Sequence, residues 1–214
     1  MKKISLIIGM LVAVIALNAQ NKEAYIKAMT SGLEKMGAAQ SIEDLQGVAG
    51  QFERIAANVE KDWYSNYYAS LAYTRMSMMA KGISTKDEYS NKALELVKKA
   101  KNNSPNNSEV VALEGYVYMM QLAADPNSRG QMLSGKAMQT FGQALNLNPE
   151  NPRAIALMAQ MRYGTAQFFG SSTADACGMA KKSLPLFEAE ERGMSFDPTW
   201  GIDMANSLIG QCEK

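Results

Sequence analysis

The stretch AMQTFGQALNLNPENPRA, Ala137 to Ala154, decides the fold. Ala137, Phe141 and Ala144 fall at intervals of four and three, so they share one face of a helix. Two alanines on that face let a neighbouring backbone approach closely, and the phenylalanine fills the space between them. Asn148 and Pro149 stop the helix, because proline cannot continue it and biases the residue before it away from helical geometry. Pro152 suits the first turn of the next helix. The stretch therefore predicts a helix, a tight turn and a second helix.

The pattern recurs along the chain. ALELVKKAKNNSP carries Ala93, Val97, Ala100 and Pro105 at the same spacings, AKKSLPLF carries Ala180, Leu184 and Phe187, and VAGQFERI carries Val48, Phe52 and Ile55. The middle members Phe52, Val97, Phe141 and Leu184 are 45, 44 and 43 residues apart. A second pattern interleaves with the first, in ASLAYTRM (69–76), ALEGYVYM (112–119) and ALMAQMRY (156–163). Its small third member falls at Ala72, Gly115 and Ala159, and Ala28 extends the series one step back. The unit is thus two helices, A then B, repeated about every 44 residues.

These residues resemble the tetratricopeptide repeat (TPR) family. The family's second helix carries Ala-x3-Phe-x2-Ala-x4-Pro. Residues 137 to 149 match it at every position, and 93 to 105 match with Val97 in place of phenylalanine. Trp63 and Trp200 look like the family's aromatic near the start of the first helix, and Ala72, Gly115 and Ala159 like its small crossing residue. The resemblance implies an all-α fold of helix-turn-helix repeats, stacked as a right-handed TPR-like α-solenoid. It also implies an extended concave surface for a protein or peptide partner. Each unit is about ten residues longer than the family's usual 34, and the excess lies at MMAKGIST, LAADPNSRG and AQFFGSST. Helices are expected near 23–36, 42–60, 62–81, 86–102, 108–123, 131–147, 152–168, 173–192 and 199–212. The last, opening at DPTWG, is expected as a capping helix. Pro185 is expected to kink the helix that contains it.

Residues 1–19 read as a signal peptide. MKK is a positive n-region, ISLIIGMLVAVIAL an apolar stretch too short for a comfortable span, and Ala19 a small residue at a cleavage point. An uncleaved N-terminal anchor is the alternative. Without Lys2 and Lys3 the chain has 20 basic and 21 acidic residues, a net charge of −1. The expected organisation is one helical-repeat domain over 20–214, periplasmic or secreted, with no membrane span after cleavage. That near-neutral charge does not suit nucleic acid.

Histidine is absent from all 214 residues. This excludes a Ser-His-Asp triad, a Cys-His pair and an imidazole metal site. No GxSxG, GxGxxG or Walker-type sequence occurs. The chain therefore reads as a non-enzymatic binding scaffold with no cofactor. The alternative is a carboxylate-based hydrolase or small-ligand carrier on the same scaffold. Sixteen methionines could handle copper through thioethers, but their helical spacing suits core filling.

Two sets of residues are expected to matter. Cys177 and Cys212, on the last B helix and the capping helix, lie about 22 and 18 Å from the turn between those helices if the two run antiparallel. A disulfide is the expectation and a pair of buried thiols the alternative. The partner groove is expected along the A helices: Tyr73, Tyr116 and Gln160 one residue past the crossings, Met76, Met119 and Tyr163 three residues on, and Asn66, Glu109 and Arg153 along the edge. The alternative is that the longer helices bury this stripe.

Overall fold

A computed structural model of the protein describes residues 21–190 and 196–213. The signal peptide expected at 1–19 lies outside them. Among the described residues there are nine helices and no strand. They are α1 (21–38), α2 (Ile42–Asn58), α3 (Trp63–Met79), α4 (Ile83–Asn103), α5 (Ser108–Ala124), α6 (Pro126–Leu147), α7 (Pro152–Phe169), α8 (Ala174–Glu188) and α9 (Ile202–Cys212). None is long and apolar enough to cross a membrane.

Each A helix packs on its own B helix, as α3 on α4, α5 on α6 and α7 on α8, and the A helices lie side by side in the order α3, α5, α7, α9. This is the stacking of an α-solenoid. The repeat motif supplies the seams. Ala93, Val97, Ala100, Ala137, Phe141 and Ala144 are all fully buried. At Gly115 an added Cβ would sit 2.5 Å from the Phe141 ring, so only glycine lets that ring lie against the α5 backbone. The corresponding contact in the first unit belongs to Gly32, under Phe52 at 2.7 Å, rather than to Ala28 one turn earlier.

The A helices share a start signal as well. Asp62, Asn107 and Asn151 are the N-caps of α3, α5 and α7, and each side chain accepts from backbone N–H groups of the first turn. That satisfies donors which the helix itself cannot. Helix α2 is closed by a capping box between Ser41 and Asp44.

Three boundaries differ from the sequence expectation. Helix α6 begins at Pro126, because Asp125 ends α5 and its side chain caps Ser128, with proline in the first turn. LAADPNSRG is therefore mostly helix, joined to α5 through one residue. Helix α8 ends at Glu188, three residues beyond Pro185. The expected helix over 199–212 begins only at Ile202. DPTWG forms part of a non-helical strap over 196–201. Proline at 198 and a positive φ of 112° at Gly201 hold it out of helical geometry. Cys177 and Cys212 form the expected disulfide, with Cα atoms 5.9 Å apart, and tie α8 to α9.

Candidate functional site

The strap lies across the concave wall made by the A helices. Tyr68 on α3 donates its hydroxyl to the Phe196 carbonyl at 2.8 Å, and Tyr64 donates to the Asp197 carboxylate at 2.9 Å. Phe196 sits edge-on against Tyr25 and Tyr64. The Trp200 indole N–H donates to the buried Tyr67 hydroxyl at 2.9 Å, and its ring stacks on Tyr116 at 5.7 Å.

Arg153 on α7 completes the tie. Its guanidinium donates to both oxygens of Glu109 at 2.6 and 3.0 Å, to Glu190, and to the Trp200 carbonyl at 3.1 Å. Burial acts to lower its pKa, but the pairs with Glu109 and Glu190 outweigh burial and hold it above the ordinary range. A two-carboxylate partner set of this kind suits the forked geometry of arginine. The residue joins α5, α7, the end of α8 and the strap at one point.

Of the nine residues expected along the partner wall, most are packed away. Asn66 donates to the Asp62 carbonyl, Met76 and Tyr163 are buried, Tyr116 lies under Trp200, and Met119 is mostly buried but lines the edge groove described below. Glu109 and Arg153 hold each other. Tyr73 is half-buried and donates to Glu53 at 2.9 Å. Gln160 alone carries an unmet group: its Oε1 is the one buried side-chain polar atom among the described residues without a hydrogen-bond partner.

Two hollows remain. The first, about 790 Å³, is what the strap leaves of the concave wall, bounded by α1, α3, α5, α7, the strap and α9. It includes Tyr68, Arg75, Met78, Tyr116, Gln160 and Trp200. The second is a groove of about 880 Å³ on the edge where A helices turn into B helices. Met119, Met120, Leu122 and Ala123 of α5 form one wall, the first turns of α6 another, and Gln160, Met161, Gly164, Thr165, Phe168 and Phe169 of α7 the third. No charged residue lines it. Phe168 and Phe169 are 80% and 74% exposed and meet edge to face at 5.1 Å. Gly130 and Gly164 widen the groove, since a Cβ at either would meet nothing within 4 Å.

The groove walls are two of the three stretches that lengthen the repeats, LAADPNSRG and AQFFGSST. From the sequence these stretches read only as the extra length of each repeat, longer helices plus a loop. The available signal was the pair Phe168–Phe169 just before a helix-ending glycine, two large apolar residues outside the A–B seam pattern. Arg75, Tyr67 and Tyr68 were also missed, because nothing in the spacing showed that a strap would return over them.

No known protein family matches the chain, and no curated protein does. Among solved structures it is similar to the HusA haemophore from Porphyromonas gingivalis, at 26% identity and a TM-score of 0.76, over 90% of this chain and 92% of that one. It is also similar to a thermophilic TPR protein from Thermus thermophilus, at 15% identity and a TM-score of 0.57, over 94% and 96% of the two chains. The fold is a TPR-like helical repeat. Neither of the two similar proteins is described by a catalytic activity. Among the described residues of this chain no group of three or more Cys, Asp or Glu is placed to hold a metal ion.

Proposed function

We propose that the protein is an exported carrier that holds a large, flat, apolar ligand of the porphyrin class in the edge groove. The observation that carries this reading is the exposed Phe168–Phe169 pair at a groove of about 880 Å³ with no charged lining. A large apolar surface left open in this way marks a binding site more often than an accident of packing. Similarity to a haemophore along nine-tenths of both chains supports the ligand class. The groove chemistry suits a flat ring: thioethers of Met119, Met120 and Met161 are polarisable and make favourable contacts with aromatic systems. Phenylalanine rings add stacking and edge contacts. Ligand carboxylates stay in water at the mouth, where no fixed charge opposes them.

The chain has no histidine, and both cysteines are in the disulfide. Neither imidazole nor thiolate is thus available to a haem iron, and the reading is of a grip on the ring by the phenylalanines and thioethers, so a metal-free porphyrin should bind as a metalated one does. The disulfide suits an oxidising compartment, periplasmic or extracellular, and the signal peptide read at residues 1–19 provides the route there. A carrier also accounts for the strap better than a scaffold does, because the wall where a partner protein was expected is covered by the chain itself.

Titration with haemin and with protoporphyrin IX, followed by Soret absorbance and tryptophan quenching, tests the reading. Both ligands should bind at micromolar concentration or tighter. The double substitution Phe168→Ala with Phe169→Ala should weaken both by about tenfold or more, roughly 1.4 kcal/mol. Failure of either ligand to bind, or full affinity in the double variant, overturns the proposal.

A further inference from the structure

We propose that the concave hollow is a second ligand site, built for a small aromatic carboxylic acid that also carries a hydrogen-bond donor. It shares only Gln160 with the lining of the edge groove proposed for the porphyrin. Its volume of about 790 Å³ lies within the usual range of about 300–1,000 Å³ for small-molecule sites.

Arg75 supplies the anchor. It lies half-buried on α3, lines the hollow, and donates from Nη1 to the Met36 carbonyl at 3.0 Å. That is its one hydrogen bond, and among the described residues it makes no ion pair. A guanidinium has five N–H donors in a rigid fork, so most of its donors have no protein acceptor. Contrast Arg129 and Arg153, which are each held by carboxylates through two nitrogens. A half-buried cation without a counter-charge is the natural partner of a carboxylate, which fits the fork with two parallel hydrogen bonds.

Two acidic residues also line the hollow, and neither competes for that role. Asp197 accepts from the Tyr64 hydroxyl on the strap side, and Asp203 is exposed in the first turn of α9. A face of rings receives the body of the ligand: Tyr116 and Trp200, stacked at an interplanar angle of 24°, both line the space. Gln160 supplies the second polar contact. Its carbonyl oxygen is buried without a partner, and the residue lies between the two hollows and lines both. An unmet buried acceptor costs about 1–3 kcal/mol, and an N–H or O–H on the ligand recovers part of that. Fork, ring face and acceptor together describe an acid such as an indole carboxylate.

Calorimetric titration of the full mature protein with indole-3-propionate, its neutral amide and its N-methyl derivative tests the site. The acid should bind, and the amide and the N-methyl compound should each bind at least about fivefold more weakly. In Arg75→Gln the preference for acid over amide should vanish, and Arg75→Lys should restore part of it. Protoporphyrin affinity in Arg75→Gln, and indole acid affinity in the Phe168→Ala/Phe169→Ala variant, should match wild type. No heat with the acid, or equal binding of acid and amide by the wild-type protein, overturns the second site. So does loss of protoporphyrin binding in Arg75→Gln, which makes the concave hollow the porphyrin site.

Discussion

The concave wall and the edge groove both carry aromatic and thioether side chains and are finished in opposite ways. On the concave wall the tyrosines and a buried arginine are met by the chain itself: Tyr68 finds the Phe196 carbonyl and Tyr67 the Trp200 indole of the strap, and Arg153 finds the carboxylates of Glu109 and Glu190 and the Trp200 carbonyl. At the edge, Phe168 and Phe169 lie open, and Gly130 and Gly164 keep space in front of them. An aromatic stripe at helical spacing is thus no sign of a docking surface until one knows whether the chain itself covers it. An apolar pair outside the packing pattern, with nothing over it, is the stronger sign.

The comparison can be broken first at Arg153. If the strap is held as described, Arg153→Met leaves Glu109 and Glu190 without their shared cation, and removing one partner of a buried pair costs about 3–5 kcal/mol. Scanning calorimetry should show a large fall in Tm. A loss below about 1 kcal/mol means the strap is held by its aromatic contacts alone.

Cutting the disulfide by Cys177→Ala with Cys212→Ala should cost about 3–4 kcal/mol in the chain-entropy model for a loop closed by a sequence separation of 35. The loss should leave porphyrin affinity unchanged, because neither cysteine lines the edge groove. Chemical denaturation with a parallel titration checks both halves, and reduced affinity in the folded variant couples the two regions.

Alkaline pH probes the buried tyrosines, among them Tyr116 under the Trp200 ring of the strap. Burial pushes the Tyr116 phenol up to about 12, above its value of about 10 in the unfolded chain. A folded-state pKa raised in this way contributes stability that is complete below about pH 10 and is lost as pH rises through about 12, up to about 2–3 kcal/mol for this group. Denaturation midpoints measured from pH 9 to 12 should fall across that window. Flat midpoints over the window contradict a buried Tyr116.

The smallest effect lies at the edge. Gly164 is a mid-helix glycine with open space beside it, so Gly164→Ala should stabilise the fold by about 0.5–1 kcal/mol. Gly164→Leu should instead fill the groove and weaken porphyrin binding with little effect on Tm. A stabilised protein that binds as before with leucine at this position removes Gly164 from the site.

The architecture was legible where one physical rule acts locally. Small and aromatic residues at fixed spacing gave the seams, confirmed by Phe141 lying on Gly115. Proline after asparagine gave the end of α6. The start of α6 was misplaced by five residues, although Asp125–Pro126 is a cap followed by a proline suited to the first turn. The strap was not legible, since DPTWG looks like a helix start and only the tertiary fold shows Trp200 settling on Tyr116. For the same reason Arg153, expected on the rim of a groove, proved to be a buried tie. Met119, Gln160 and Met161 of the groove lie in the repeat pattern, but the rest of it came from segments that carry no repeat signal, where periodicity has nothing to say.

Hydrogen exchange measured by mass spectrometry, on the mature protein with and without saturating protoporphyrin IX, tests the central claim most directly. The account predicts added protection confined to peptides covering 119–134 and 160–169, which carry the groove walls. Exchange in 64–78 and 196–207 should not change. Protection in those concave segments with none at 160–169 would place the ligand under the strap and contradict the account.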